Sequence, residues 1–440
     1  MLKITFLGAG STIFARNVLG DCMLSEVLRE CEIALYDIDG QRLKESERIL
    51  SAINKGKGGY SKIFCYAGIE NLEKALKGAA FVVNAVQVGG YDPATIADFE
   101  IPKKYGLRQT IGDTLGIGGI MRALRTIPVL EHFARVMEKV CPDAWFLNYT
   151  NPMAMLTGFM QRYTGVKTVG LCHSVQVCSL HLLESLDMKD KLEGRSELIA
   201  GINHMGWLLE IRGKDGIDLY PEIKKRAKAK NAAEKHWDMV RYDYIDKLGY
   251  YCTESSEHNA EYNPFYIKSK YPQLIEKFNI PLDEYPRRCI SQIEGWKAEY
   301  ESLIKKDTLE HERSREYASH IMEAIVTGNP YKIGGNVLNT NTNIENLPAQ
   351  ACVEVPCLVD KSGIKPCQTV KLPVHLAAMN MTHINVHLIT IEAAATKKRD
   401  HIYHAAMLEP HTAAELSIDD IRSMTDDLLA AHKNWLPEYK

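Results

Sequence analysis

A cysteine and a histidine close an apolar run in Gly170-Leu171-Cys172-His173-Ser174-Val175, and a second histidine sits in Gly201-Ile202-Asn203-His204-Met205. A thiolate and an imidazole of this kind suit a borderline divalent ion such as Mn2+, Co2+ or Ni2+, held partly by substrate oxygens. Far upstream, Gly8-Ala9-Gly10-Ser11 follows an apolar stretch and precedes a helical pattern. That is where a pyrophosphate meets backbone N–H groups at a helix N-terminus. Ile13 stands where the third glycine of GxGxxG would be, and Ser11 offers a hydroxyl or a helix cap. Asp37, ending Ala34-Leu35-Tyr36-Asp37, suits the ribose hydroxyls of NAD and disfavours the 2′-phosphate of NADP. A dinucleotide beside a metal equips a chain to move a hydride and stabilise the resulting oxyanion.

Each of these residues also has a plainer reading. A strand-end cysteine is commonly buried filler, a lone histidine a satisfied core residue, and Gly-x-Gly a tight turn without ligand. For His383 and His387, four residues apart in an apolar helical pattern with no carboxylate within a turn, the core reading prevails. Cys352, Cys357 and Cys367 lack histidine partners at zinc spacing and are read as structural. Asn148-Tyr149-Thr150-Asn151-Pro152 could hold a substrate hydroxyl through its amides or form an Asx turn. The segment from Gly249 to His258, dense in titratable groups and poor in helix signal, is either a surface turn or an active-site insertion.

The elements that must position these residues follow from the apolar rhythm. Strands are expected at Lys3–Leu7, Glu32–Tyr36, Ile63–Tyr66, Phe81–Val86, Ala144–Leu147 and Thr168–Leu171, with helices at Arg42–Asn54, Ile117–Val140 and Met153–Tyr163. This alternation predicts a parallel sheet covered on both faces, with ligands gathered at the carboxyl ends of the strands. Gly8, Gly10, Asp37, Gln87, Asn148 to Asn151 and Cys172-His173 all fall at such ends. From Ser196 the rhythm changes: a strand at Leu208–Ile211, a basic helix near Pro221–Tyr244 and a long buried helix at Val374–Thr396 are expected in an otherwise helix-rich stretch. The expected architecture is α/β. A Rossmann-like dinucleotide domain spans 1–195, and a mostly helical α+β domain for substrate, metal and oligomer contacts spans 196–440, as in lactate and malate dehydrogenases.

The chain has 440 residues, 45% hydrophobic and 25% charged, with a net charge of −3. That balance offers nothing for nucleic acid or an anionic membrane. The run Lys224-Lys225-Arg226-Ala227-Lys228 reads as a solvated helix face. Eleven scattered cysteines without CxxC spacing point to free thiols in a reducing compartment, hence the cytoplasm. No apolar run reaches the roughly 18 residues that a membrane span needs.

Taken together with Cys352-Val353-Glu354-Val355-Pro356-Cys357, these motifs resemble glycoside hydrolase family 4, the NAD- and metal-dependent glycosidases, over nearly the whole chain. The Cys-His-Ser-Val element and Gly-Tyr-x-x-Thr-Glu-Ser-Ser-Glu-His at 249–258 are most similar to its α-galactosidase branch. The resemblance implies a redox-assisted elimination, an exception among glycosidases. NAD+ takes the hydride from sugar C3, a base removes the acidified C2 proton, the aglycone leaves C1, water adds and the hydride returns.

By position, the resemblance makes Cys172 and His204 metal ligands and Asn151 a substrate contact. Gly8, Gly10, Ser11, Asp37 and Gln87 line the cofactor. It puts His173 in the acid's place, where phosphosugar members carry aspartate; an imidazole there donates a proton or only binds a hydroxyl. The base is a tyrosine in many members, and Tyr250 is taken ahead of Tyr251 and His258. Asp113 tunes that base or caps a helix. Residues 82–102 contain no Lys or Arg, so the phosphate clamp of phosphosugar members is missing there. Arg287 and Arg288 are left as substrate contacts, one of them able to meet a uronic carboxylate. The expectation is hydrolysis of unphosphorylated α-galactosides, with α-galacturonides second, by a homodimer or homotetramer using NAD+ and Mn2+, Co2+ or Ni2+. A 2-hydroxyacid dehydrogenase is the alternative, and it leaves Cys172 and His204 without a purpose.

Overall fold

Six short apolar segments of the first 170 residues become parallel strands in a computed structural model describing residues 1–440. They are β1 (Leu2–Leu7), β2 (Cys31–Asp37), β3 (Lys62–Ala67), β4 (Phe81–Asn84), β5 (Trp145–Asn148) and β6 (Lys167–Gly170). Their order, β3-β2-β1-β4-β5-β6, is that of doubly wound dinucleotide folds. β1 and β4 read as nearly unbroken apolar runs because helices cover both faces of the sheet. The local signals are ordinary: Asp39 accepts from Gln41 N at 2.9 Å and Arg42 N at 3.1 Å, and so starts the helix Gly40–Gly56.

The sheet does not stop at β6. It continues through β7 (Ser196–Ile202), β8 (Met205–Arg212), β9 (Tyr251–Cys252), β10 (Tyr331–Leu338), β11 (Cys352–Asp360) and β12 (Gly363–Pro366). From β6 the order runs β10-β11-β7-β8-β9 with antiparallel pairing, and β12 flanks β11. The second half therefore holds more sheet than the helix-rich pattern suggests. β11 hides because nearly all of it is buried, leaving no alternation to read, and contains Pro356, while in β10 Gly334-Gly335 interrupt the apolar run. Those glycines are required by packing: a Cβ would meet Val175 Cγ1 at 2.6 Å and Cys357 Sγ at 2.9 Å respectively. The expected helix near Pro221–Tyr244 is two helices, Tyr220–Ala233 and Met239–Leu248, separated by a bend carrying the buried pair Asp238–Arg241.

One transverse row of the sheet is polar. Register pairs Leu7 with Asn84, Asn84 with Asn148, Asn148 with Gly170, Gly170 with Asn336, Asn336 with Glu354, Glu354 with Gly201, and Gly201 with Gly206. Asn84, Asn148, Asn336 and Glu354 are each fully buried. Asn84 Nδ2 donates to Asn148 Oδ1 at 2.8 Å, and Asn336 Nδ2 to Glu354 Oε1 at 3.1 Å, so the row is tied by its own side chains.

No helix is long and apolar enough to cross a membrane. Within the long helix Val374–Thr396, His383 and His387 are buried among apolar neighbours, with their Nε2 atoms unpartnered. Burial holds His383 down at about 4 and His387 at about 3, so both are neutral core residues at pH 7, as their spacing and surroundings suggest. A histidine depressed in the folded state stabilises above its unfolded value of 6.5 and loses that contribution as pH falls, since the unfolded chain takes the proton first. Replacing His387 by Leu should therefore help more in acid: relative to the native chain the variant gains about 2 kcal/mol between pH 7.5 and pH 5 in urea melts. An equal difference at both pH values would contradict the buried neutral state.

Candidate active site

The carboxyl ends of β1, β2, β4, β5 and β6 lie along one edge of the sheet, and the turn after β7 brings His204 to within 4.8 Å of the Cys172 sulfur that follows β6. After β1, Gly8 turns with φ +84°, and a Cβ there would meet the backbone C and O of Ala85 at 2.8 Å. The loops after β1 and β4 thus approach as closely as only glycine permits. Gly10 N donates to Asp37 Oδ2 at 2.7 Å, and Asp39 N donates to Asp37 Oδ1 at 2.9 Å, so Asp37 ties the first loop to the end of β2. Ser11 precedes the helix Thr12–Leu24 but makes no capping bond with its side chain. Its capping reading is therefore not met. Gln87, after β4, donates from Nε2 to Thr95 Oγ1 at 3.4 Å.

Cys172 follows β6 and is fixed by Tyr317, whose hydroxyl accepts from Cys172 N at 2.8 Å and donates to Cys172 O at 3.1 Å. His204 lies in the turn between β7 and β8, and Glu254 just after β9. Cys172 Sγ, one ring nitrogen of His204 and a Glu254 oxygen all lie within 4.8 Å of one another. His204 Nε2 is 3.3 Å from Glu254 Oε2, while its Nδ1 is 3.0 Å from the Tyr262 hydroxyl. His204 and Glu254 both hold left-handed backbone angles, φ +64° and +66°, which cost free energy and persist only where surrounding structure enforces them.

The electrostatics favour a cation at this point. Burial and then the carboxylates Glu254 and Glu354 push the Cys172 thiol up, so a thiolate needs a positive partner. Burial raises, and the imidazoles of His258, His204 and His173 lower, the Glu254 carboxyl, which ends at about 2 and is ionised. His258, held down at about 4 chiefly by burial, packs its ring edge-on to His204 with centroids 5.2 Å apart. Its Nδ1 is engaged by Ser255 Oγ at 2.6 Å, which leaves Nε2 free. His173 begins the helix His173–Ser185 and is exposed. Asn151 Oδ1 is buried without a partner. A soft sulfur, an imidazole and an ionised carboxylate around one point, with an unused amide oxygen at a neighbouring strand end, fit a borderline divalent ion with positions left for oxygen ligands.

Asp113 does not cap the helix Ile117–Val140, which begins after Gly116. It accepts from Thr114 Oγ1 at 2.7 Å and pairs with Arg122 at 3.3 Å. The adjoining backbone, Thr110 to Gly112, donates to the buried carboxylate of Glu261 at 2.7 and 2.8 Å, which joins Asp113's loop to the helix carrying His258. Arg288 pairs with both Glu257 and Glu284, and Arg287 is exposed and bound to Leu282 O and Glu284. Two tyrosines expected near the chemistry lie elsewhere. Tyr250 packs against Tyr220 and His375, with Lys224 above its ring, and Tyr251 donates to buried Asp238 at 2.6 Å.

Residues 3–188 match the family described as Family 4 glycosyl hydrolase, and residues 199–412 match the Family 4 glycosyl hydrolase C-terminal domain. The chain belongs to family 4 of the glycosyl hydrolases. It is 59% identical to an alpha-galactosidase from Bacillus subtilis (strain 168), covering 100% of both chains. It is 33% identical to an alpha-galactosidase from Rhizobium meliloti (strain 1021), covering 99% of this chain and 89% of that one. Its fold is that of a 6-phospho-alpha-glucosidase from gut microorganisms solved in complex with NAD and Mn2+, with a TM-score of 0.82, 20% identity and all of both chains covered.

Three residues of this family 4 site were not singled out by sequence: Glu254, Tyr262 and Glu354. Glu254 lay inside the titratable segment 249–258, a usable signal. Glu354 stood inside the Cys352–Cys357 motif but with no role attached, and Tyr262 gave no signal, since the groups they meet come from distant parts of the chain. Because Gly8 combines a left-handed φ with the Ala85 contact, Gly8→Ala should weaken NAD+ binding by roughly tenfold or more in calorimetric titration. An unchanged affinity would mean that the turn does not receive the dinucleotide.

Proposed function

We propose that this family 4 enzyme hydrolyses terminal, unphosphorylated α-galactosides with bound NAD+ and a divalent metal, Mn2+ first, with Co2+ or Ni2+ able to serve. The carrying observation is the cluster of Cys172, His204 and Glu254, whose cysteine follows β6 of the same parallel sheet that carries the Gly8–Gly10 turn after β1. The full-length identity of 59% to an alpha-galactosidase supports the substrate, and the fold shared with an enzyme solved with NAD and Mn2+ supports the cofactors. A 2-hydroxyacid dehydrogenase would have no use for the three-donor cluster.

When bound, NAD+ supplies a hydride acceptor that is regenerated in each turnover, and the divalent ion supplies a Lewis acid. Gly8 and Gly10, whose own N–H groups are tied to Tyr36 O and Asp37, let the backbone come close to the pyrophosphate. Ser11 offers it a hydroxyl, and the helix Thr12–Leu24 its first-turn N–H groups. Asp37 offers acceptors to the ribose, and Gln87 follows the neighbouring strand β4. Cys172, His204 and Glu254 hold the ion, and Tyr262 fixes the His204 ring through Nδ1. Asn151 offers its unpartnered Oδ1 to a sugar hydroxyl. His173, exposed at its helix start, donates a proton to the departing glycosidic oxygen. His258, neutral with Nε2 free, takes the proton from sugar C2, the role sequence reasoning had placed on Tyr250; Asp113 supports it through the Glu261-anchored loop.

Charge pairing argues for a neutral sugar. Arg122 is matched by Asp113, Arg125 by Asp98, and Arg288 by Glu257 and Glu284. A uronic carboxylate or a phosphate would have to displace one of these partners, which disfavours the galacturonide and phosphosugar readings. The rest of the proposal is a dinucleotide unit at 1–195 and a substrate, metal and oligomer unit at 196–440, assembled as a cytoplasmic homodimer or homotetramer. The gap between the two family matches, after 188 and before 199, supports that division, and eleven free cysteines support a reducing compartment.

Nitrophenyl α-galactoside should turn over only when both NAD+ and Mn2+ are present, far faster than the α-galacturonide, with solvent deuterium entering C2 of the released sugar. Turnover without either cofactor, or NADH accumulating in step with product, would sink the proposal. Cys172→Ser should cost roughly 100-fold or more in activity with little change in melting temperature.

A further inference from the structure

The two segments that deliver Cys172 and His204 are not neighbours in the sheet. β6, ending just before Cys172, and β7, ending just before His204, are separated by β10 and β11, and each outer junction of that insert is a single register pair. Those two pairs are Gly170–Asn336 and Glu354–Gly201. Glu354 is buried at the centre. Its Oε1 accepts from Asn336 Nδ2 at 3.1 Å and from Asn203 Nδ2 at 3.3 Å. Asn336 Nδ2 also donates to Gly170 O at 3.3 Å, two residues before Cys172, and Asn203 is the residue before His204. Glycines let these groups close up: a Cβ on Gly170 would meet Asn336 Cβ at 2.8 Å, and one on Gly206 would meet Glu354 Oε2 at 3.3 Å.

We propose that Glu354 is a positioning residue for the cation site, one carboxyl oxygen that sets the separation of Cys172 and His204 by clamping the end of β6 through Asn336 and the β7–β8 turn through Asn203. Glu354 Oε2, Asn336 Oδ1 and Asn203 Oδ1 have no partner in the protein. The two bonds to Glu354 Oε1 are therefore the ones that tie these segments, and losing either would leave a further buried group unmatched. His204 takes its left-handed backbone in the two-residue turn between Ile202 and Met205, and the bond from Asn203 to Glu354 fixes where that turn sits against β11. Glu354 touches neither ion nor substrate. It acts through the two asparagines, and the inference rests on Cys172 and His204 being the ligands.

The test is Mn2+ affinity, read by electron paramagnetic resonance of the free ion, alongside NAD+ affinity by calorimetry. It compares the native chain with Glu354→Gln, Glu354→Leu, Asn336→Ala and Cys172→Ser. Glu354→Gln keeps the Oε1 acceptor and should hold Mn2+ almost as tightly as the native chain. Glu354→Leu and Asn336→Ala should weaken Mn2+ by about tenfold or more while NAD+ affinity stays unchanged. The clamp is overturned if either of these two binds Mn2+ like the native chain, or if Glu354→Gln loses as much as Glu354→Leu. It is overturned equally if Mn2+ and NAD+ affinities fall together or the variants fail to fold, since Glu354 would then serve the sheet as a whole. Mn2+ binding undiminished in Cys172→Ser would instead remove the ligand assignment beneath the proposal.

Discussion

A row of buried amides and one carboxyl crossing the sheet is the constraint on which the rest of this protein depends. Asn84, Asn148, Asn336 and Glu354 lie in register and fully buried: the first two end β4 and β5, Asn336 lies two residues before the end of β10, and Glu354 two residues after the start of β11. Polar atoms taken from water cost free energy unless they are matched. In this row the matches that are made run between strands, while Asn84 Oδ1, Asn336 Oδ1 and Glu354 Oε2 have no partner in the protein. Asn84 Nδ2 donates to both Asn148 Oδ1 and Thr150 Oγ1, at 2.8 and 3.1 Å, which orients the loop leading to Asn151. The same logic at Glu354 orients the segments before Cys172 and His204. A purely apolar row would hold the strands together equally well but would not specify their axial alignment so sharply.

Above the row, the side chains for chemistry come from separate elements with separate local reasons. Gly8 supplies a turn that no other residue fits, Tyr317 pins Cys172 at its backbone, and Tyr262 turns the His204 ring. Glu261 gathers the N–H groups of residues 110–112 and brings Asp113 toward the helix of His258. None of these supports meets the sugar in the proposed arrangement. They fix the angles at which residues that do meet it are offered.

The dinucleotide half was readable because its signals are local: apolar runs, Gly-x-Gly after a strand, an acid at the end of the next strand. All six parallel strands and the three helices expected at Arg42–Asn54, Ile117–Val140 and Met153–Tyr163 fall where periodicity puts them, within a few residues, whereas the short helices Leu72–Leu76 and Ile96–Lys104 were not expected. Cys172 and His204 were found by residue type and by the company of strand ends. The antiparallel half was harder, since nearly all of β11 is buried and carries no alternation, and glycines interrupt β10. Glu354 sits in an apolar strand, where a lone acid looks like an exception to be explained away. Its meaning depends on Asn203 and Asn336, far away in the chain. Tyr250 shows the opposite error: it stands in the right segment, yet the left-handed Gly249 ahead of it and the short strand after it turn its ring toward Tyr220.

The continuity of the sheet has a consequence for motion. In many two-domain enzymes the catalytic cleft opens and shuts as one lobe swings on a hinge. Here the strands run without interruption from the nucleotide edge through β10 and β11 to the turn bearing His204. Swinging one half against the other would shear a hydrogen-bonded ladder at its most buried row. A hinge between the halves would have to break the single pairs Gly170–Asn336 and Glu354–Gly201, which leaves movement for substrate entry to exposed elements such as the helix Glu284–Leu303, of which only Cys289 is buried.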